Sequence, residues 1–147
     1  MRKVEVTIDI DTTPERLIQA FTDSNMLHDW WNVERTLIEK WSGGVYTLTW
    51  NITDNGFGYV STGIIKHYEP SSILEIDHLV YLNPDRPLFG PMTLTIKAIE
   101  KEGKTELYLC QDGYQNGVDW NWYYDAVKQA WPIVVNTLKD YLEEKNK

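Results

Sequence analysis

Among the side chains able to move a proton or make a bond, His67 and His78 hold the most suggestive positions in this sequence. Both fall in stretches where polar and apolar residues alternate, and the alternation sets both imidazoles on the apolar side of neighbouring strands. In such a place an imidazole serves as a satisfied core or cavity-edge residue, as a ligand contact, or as a general acid or base. Two histidines without a nearby third ligand make a poor zinc site. Cys110 lies on a strand pattern with no neighbour placed to activate its thiol. The carboxylates Glu69, Glu75 and Asp77 fall on the outer face or in turns, where solvation is their expected state. No Gly-x-Ser-x-Gly, His-Glu-x-x-His or Cys-x-x-Cys occurs, and Gly43-Gly44 is no phosphate-binding fingerprint. These residues call for no cofactor and no metal.

The aromatic side chains are the other chemical resource. Seven Trp and nine Tyr stand beside three Phe, so many large rings carry an N–H or O–H that needs a partner or a route to water. Trp120, Trp122, Tyr123 and Tyr124 gather near the start of the last helical pattern, and Trp30-Trp31 closes an earlier one. They either fill a large core or border a pocket whose ring faces hold an apolar ligand.

The elements that position these groups follow from periodicity. Lys3 to Ile10 alternates strictly, with Val4, Val6, Ile8 and Ile10 on one face, and reads as a half-buried strand. Thr13 is a cap and Pro14 a first helical residue for a short helix to about Thr22; Asp23-Ser24 begins a second reaching Trp30-Trp31. From Val33 to Gln111 six strands can be drawn: Val33 to Lys40, a stretch around Tyr46 to Trp50, Tyr59 to Tyr68, Ile73 to Tyr81, and two bearing Met92 to Ala98 and Leu107 to Leu109. Asn55-Gly56 is a tight-turn pair. From about Asp119 to Glu144 the apolar residues Val127, Trp131, Val134, Leu138 and Tyr141 or Leu142 recur at helical spacing. That helix would span roughly 39 Å at about 1.5 Å per residue, and Pro132 is expected to interrupt it with a bend around Lys128 to Pro132.

Strand, two short helices, six strands and one long helix do not alternate as a parallel α/β chain does. The fold class is α+β: a curved antiparallel sheet of about seven strands gripping a long C-terminal helix, in one domain over residues 1–147. The inner face should carry Tyr46, Leu48, Trp50, Ile65, His67, Leu74, Ile76, His78, Val80, Leu94, Ile96, Leu107 and Leu109.

Charge and hydropathy narrow the partners. The formal net charge of −8, with no Lys/Arg cluster, argues against nucleic acid and favours solubility. No run approaches the roughly 20 apolar residues of a membrane span, and Met1 to Ile10 alternates where a signal peptide would be continuously apolar. One cysteine fits a reducing compartment. A cytoplasmic protein, monomeric or weakly dimeric, is expected.

Several short motifs, in order, carry a resemblance: Thr13-Pro14-Glu15-Arg16, Trp30-Trp31, Gly43-Gly44, Gly63 with Glu69-Pro70 and Leu74, Thr105-Glu106-Leu107, and Trp131 with Leu138 and Leu142. Together they resemble the activator of Hsp90 ATPase homologue 1-like domain of the START-like, or Bet v 1-like, helix-grip superfamily. The resemblance implies a seven-stranded antiparallel sheet wrapped around the last helix, with a cavity between them that in many relatives admits hydrophobic small molecules. It implies no chemistry.

Three functions stay open at this point. The preferred one is binding of a hydrophobic or amphipathic small molecule in a cavity between sheet and helix. Trp31, Tyr46, Leu48, Trp50, Ile65, His67, Ile76, His78, Val80, Leu94, Tyr123, Val127, Trp131 and Val134 are its candidate lining. The others are a cyclase- or hydrolase-like enzyme using a cavity histidine, and a chaperone-interacting domain.

Overall fold

Strict alternation over Lys3–Ile10 produces the first strand, β1, which pairs along its whole length with the last one. The short helices follow where caps require them. Thr13 accepts a hydrogen bond from the Arg16 amide at the start of α1 (Pro14–Ala20), and Asp23 accepts one from the Met26 amide at the start of α2 (Ser24–Trp31). Asn32, in the left-handed region, ends α2 and turns the chain into the sheet. The remaining strands are β2 (Arg35–Ile38), β3 (Val45–Trp50), β4 (Tyr59–Glu69), β5 (Ile73–Leu82), β6 (Phe89–Lys101) and β7 (Lys104–Asp112); the chain ends in α3 (Val118–Glu144). This computed structural model describes residues 2–144. Met1 and residues 145–147, the ends of the expected 1–147 domain, lie outside the described residues.

All pairings are antiparallel, in the order β1-β7-β6-β5-β4-β3-β2, so one curved sheet forms with β1 and β2 at its edges. This is the α+β helix-grip architecture. The helix α3 packs against β1 and α2, and α1 rests on β6 and β7. At its far end α3 is tied to the start of the chain: Glu143 accepts from the Asp11 amide and from Lys139, whose ammonium also donates to the Asp9 carbonyl. Those bonds hold the Glu143 carboxyl below the usual carboxylate range, the Lys139 bond first.

Two strand irregularities correct the inner-face assignment. In β4, Ile65 pairs with Ile76 and Tyr68 with Leu74, leaving Lys66 and His67 together opposite Glu75. One extra residue therefore reverses the alternation, and His67 points outward, with its side chain 60% exposed and its Nε2 3.9 Å from a Glu75 oxygen. In β5, Ile64 pairs with Asp77 and Thr62 with Val80, so Gly63 alone faces His78 and Leu79. His78 is the extra residue, in the left-handed region at φ 52 and exposed, and beyond it the faces exchange. Leu79 and Tyr81 turn inward. Val80, expected inside, belongs to the outer face with Thr62. Asp77 secures the bulge by accepting from the His78 amide and from the Thr93 hydroxyl, and these bonds, the amide first, lower its carboxyl from the ordinary value.

Gly63 is the residue that lets the β5 bulge close. A Cβ there would stand 2.7 Å from Ile76 Cγ2 and 2.8 Å from the Asp77 carbonyl oxygen, closer than packed atoms approach. Gly63→Ala is therefore expected to cost about 1–3 kcal/mol, as overpacking against backbone does, read as a lower denaturation midpoint in urea.

Helix α3 is continuous through Pro132 rather than interrupted by it. Pro132 and Lys128 are both exposed, so the carbonyl that loses its helical partner is on the side water reaches. Along the opposite side Tyr123, Val127, Trp131, Val135, Leu138 and Leu142 are buried. Val135 takes the core position expected for Val134, which is only half-buried.

Candidate functional site

The two halves of α3 meet the sheet differently. Toward its C-terminus Val135, Leu138 and Leu142 are at most 1% exposed and close a filled core with Leu17, Ile18 and Ile10. Toward its N-terminus the helix stands over a cleft of about 300 Å³ that is open on one side. That volume lies at the small end of ligand pockets.

Each wall of the cleft comes from a different part of the chain. Tyr46, Leu48 and Trp50 of β3 form one end, with Trp31 from α2 above them. Trp31 organises this end. It stacks on Trp30 at 5.0 Å between centroids, meets Trp50 edge-on at 5.1 Å and leans on Trp131 at 5.6 Å. The polar atoms of these rings are satisfied locally: Trp50 Nε1 donates to the Trp31 carbonyl, Trp30 Nε1 to the Ala20 carbonyl and the Tyr46 hydroxyl to the Phe21 carbonyl at 2.6 Å. Burial raises the Tyr46 phenol well above its ordinary pKa, so it stays a donor.

The other wall is a ladder of rings. Tyr59 of β4 stacks on Tyr81 of β5 at 6.4 Å, Tyr81 on Tyr123 of α3 at 5.5 Å, and Tyr123 on Phe89 of β6 at 4.4 Å. Leu79, Leu94 and Ser61 complete the sheet side, while Ala126, Val127, Ala130 and Val134 complete the helix side. The two alanines leave the opening that larger residues would close. At the mouth Trp122 is 38% exposed, and the Arg86 guanidinium lies 3.8 Å above its ring.

At the floor sits one polar group that the sequence reading overlooked. Gln111, at the end of β7, is 3% exposed. Its Oε1 accepts from Trp131 Nε1 at 2.8 Å, and its Nε2 donates to the Tyr123 hydroxyl at 3.1 Å and approaches Met92 Sδ at 3.3 Å. The signal was available, because alternation through Leu107 and Leu109 leads directly to Gln111.

Of the candidate lining residues, the fold brings Trp31, Tyr46, Leu48, Trp50, Leu94, Tyr123, Val127, Trp131 and Val134 to this cleft. Ile65 and Ile76 pair across β4 and β5, fully buried in the filled core rather than at the cleft. His67, His78 and Val80 are absent from the lining, for the bulge reasons above, and Tyr59, Ser61, Leu79, Tyr81 and Gln111 stand there instead.

The lining contains no Asp, Glu, Lys, Arg or His. Among the described residues no group of three or more His, Cys, Asp or Glu is placed to hold a metal ion, and no helix is long and apolar enough to cross a membrane. Cys110 is buried on β7, and burial first pushes its thiol pKa up, away from the thiolate.

Comparison with known proteins agrees with this fold. No curated protein sequence matches the chain. Solved structures share its fold at low identity. A protein of Mesorhizobium loti is 22% identical, with a TM-score of 0.76 over 97% of this chain and 98% of its own. A solution structure from Cytophaga hutchinsonii is 16% identical, with a TM-score of 0.75 over 99% and 96%. A structure described as the Aha1 dimer from Colwellia psychrerythraea is 17% identical, with a TM-score of 0.72 over 97% of each chain. The sequence profile described as Activator of Hsp90 ATPase homolog 1-like protein matches residues 11–143, from the loop before α1 nearly to the end of α3, and the chain belongs to that family.

Proposed function

We propose that this protein binds a small, uncharged, predominantly apolar molecule in the cleft between the sheet and the N-terminal half of α3. The observation that carries the reading is the lining itself: aromatic and aliphatic walls without an ionisable carboxylate, amine, guanidinium or imidazole, in a chain of net charge −8. A charged group inside the cleft would lose its hydration without finding a counter-charge, because the Arg86 guanidinium stands outside the lining, over Trp122 at the mouth. A neutral ring compound gains contact with ring faces on both walls.

The reading that relied on a cavity histidine for acid–base catalysis loses its residues, since His67 and His78 stand on the opposite side of the sheet. A role on an Hsp90-type chaperone rests on the family description alone.

The test uses the neutral fluorophore N-phenyl-1-naphthylamine. Its emission should rise on titration with the native protein, and Ala130→Trp, which places an indole in the space Ala130 leaves open, should weaken binding at least about tenfold. The midpoint of thermal unfolding should change little, because Ala130 is exposed and borders empty space. No emission change in the native protein would overturn the proposal. So would an unchanged titration in Ala130→Trp, which would put the probe on exposed apolar side chains such as Phe57 or Leu88.

A further inference from the structure

The donors and acceptors at the cleft floor can be assigned without ambiguity. An indole N–H only donates, so the Gln111 atom 2.8 Å from Trp131 Nε1 is the amide oxygen. A thioether only accepts, so the atom facing Met92 Sδ is the amide nitrogen. Both constraints give the same amide orientation. The Gln111 nitrogen must then be the donor in its bond to Tyr123, and the Tyr123 oxygen the acceptor. The hydroxyl proton of Tyr123 is left over. Among the described residues no group accepts it, although Tyr123 is only 6% exposed and its ring is held between Tyr81 and Phe89.

This proton differs from the other hydroxyl protons of the cleft. Tyr59, Tyr81 and Ser61 are half-buried and reach water on the open side. Tyr123 is fixed in position, buried, and already engaged through its oxygen, so what remains is a donor with no protein acceptor among the described residues. Burial raises its pKa above the ordinary phenol value, which keeps the proton on the oxygen across the physiological range. A ligand oxygen with a free lone pair completes the site. A purely hydrocarbon ligand instead removes the water that could serve the hydroxyl and leaves the donor unpaired.

Resting on the cleft as a ligand site, we infer that Tyr123 anchors the ligand by donating a hydrogen bond to a carbonyl-type oxygen. The ligand class is therefore a small, uncharged ring compound bearing a hydrogen-bond acceptor, such as an aromatic ketone. Gln111 is a positioning residue: its amide fixes the tyrosine oxygen and so aims the spare proton. The acceptor fixes orientation, with the rest of the molecule lying along the ring ladder toward Trp122 and the mouth.

Two probes of nearly the same shape separate this inference from simple apolar binding. 2-Acetylnaphthalene carries a carbonyl oxygen where 2-isopropenylnaphthalene carries a CH2 group. Titration of the full chain, followed by indole N–H resonances in NMR spectra, should show the ketone binding about tenfold more tightly than the alkene. In Tyr123→Phe the two affinities should come within about twofold, with alkene binding retained as evidence that the cleft is intact. Equal affinities in the native protein, or a ketone preference that survives Tyr123→Phe, would overturn the anchor. Failure of the ketone to bind while N-phenyl-1-naphthylamine still binds would do the same. Failure of all three compounds would overturn the cleft as a ligand site as well. Should Tyr123→Phe disturb the cleft, the infrared carbonyl stretch of bound 2-acetylnaphthalene decides the matter in the native protein. A shift to lower wavenumber than in hexane supports the hydrogen bond, and an unshifted band overturns it.

Discussion

Replacing Trp131 with alanine should destabilise the protein by about 3 kcal/mol, measured as a drop in the urea midpoint with an unchanged slope. Buried Trp-to-Ala changes cost about 3–5 kcal/mol in sealed cores, where the vacated space stays empty. Trp131 is nearly as buried as a core residue, yet it borders the cleft, so water can occupy part of what it vacates. That places the expectation at the lower end. Leu138, fully buried in the filled half of α3, provides the contrast: its alanine variant leaves a closed cavity and should cost about 3 kcal/mol despite removing a smaller side chain. Trp131→Ala should also alter the environment of Trp31, which loses its tilted neighbour at 5.6 Å, and so shift near-ultraviolet circular dichroism. A loss below about 1 kcal/mol would show that α3 is held mainly by its C-terminal half.

Gln111→Leu should cost about 2–3 kcal/mol, although it replaces a polar side chain by an apolar one of similar size in a buried position. The amide oxygen satisfies the Trp131 indole N–H at 2.8 Å, and leucine leaves that donor orphaned. The diagnostic is non-additivity. With Trp131 first changed to Phe no N–H remains to be orphaned, so Gln111→Leu in that background should cost at least about 1 kcal/mol less than alone. Additive effects would show that water reaches the indole and that the Gln111 bond contributes little.

These two residues illustrate what could be read along the chain. Trp131 falls on the apolar stripe of a helix legible from spacing alone, and its burial follows directly. Gln111 lies in step with Leu107 and Leu109 on the inner face, so its place was readable, but a polar residue at a strand end is easily set aside as the start of a loop. Its role required knowing that Trp131, Tyr123 and Met92 converge on it from a helix and another strand.

The histidines show the opposite case. His67 and His78 satisfy the inner-face alternation as well as Ile65 and Ile76 do, and one inserted residue in each strand turns them outward. Neither bulge has a strong local mark. The β4 bulge falls at Lys66-His67, and the β5 bulge places His78, not Gly or Asn, in the left-handed region. Gly63 opposite is a hint that becomes specific only once Ile76, Asp77 and Leu79 are seen crowding its missing Cβ.

Element order, strand count, the amphipathic last helix and family membership were thus determined by the sequence itself, because they depend on local periodicity, capping and short motifs that need no partner to be recognised. Tertiary structure alone decided which inner-face residues border open space, because register is set between strands and a single bulge reverses every position beyond it. It also decided that the space beneath α3 is divided. Val135, Leu138 and Leu142 are at most 1% exposed, whereas Ala126 and Ala130 line the cleft opposite Tyr59 and Tyr81, which stack on each other and, through Tyr81, on Tyr123 of the helix. Where small residues oppose rings already engaged with their neighbours, the helix and sheet cannot close, and the cleft remains.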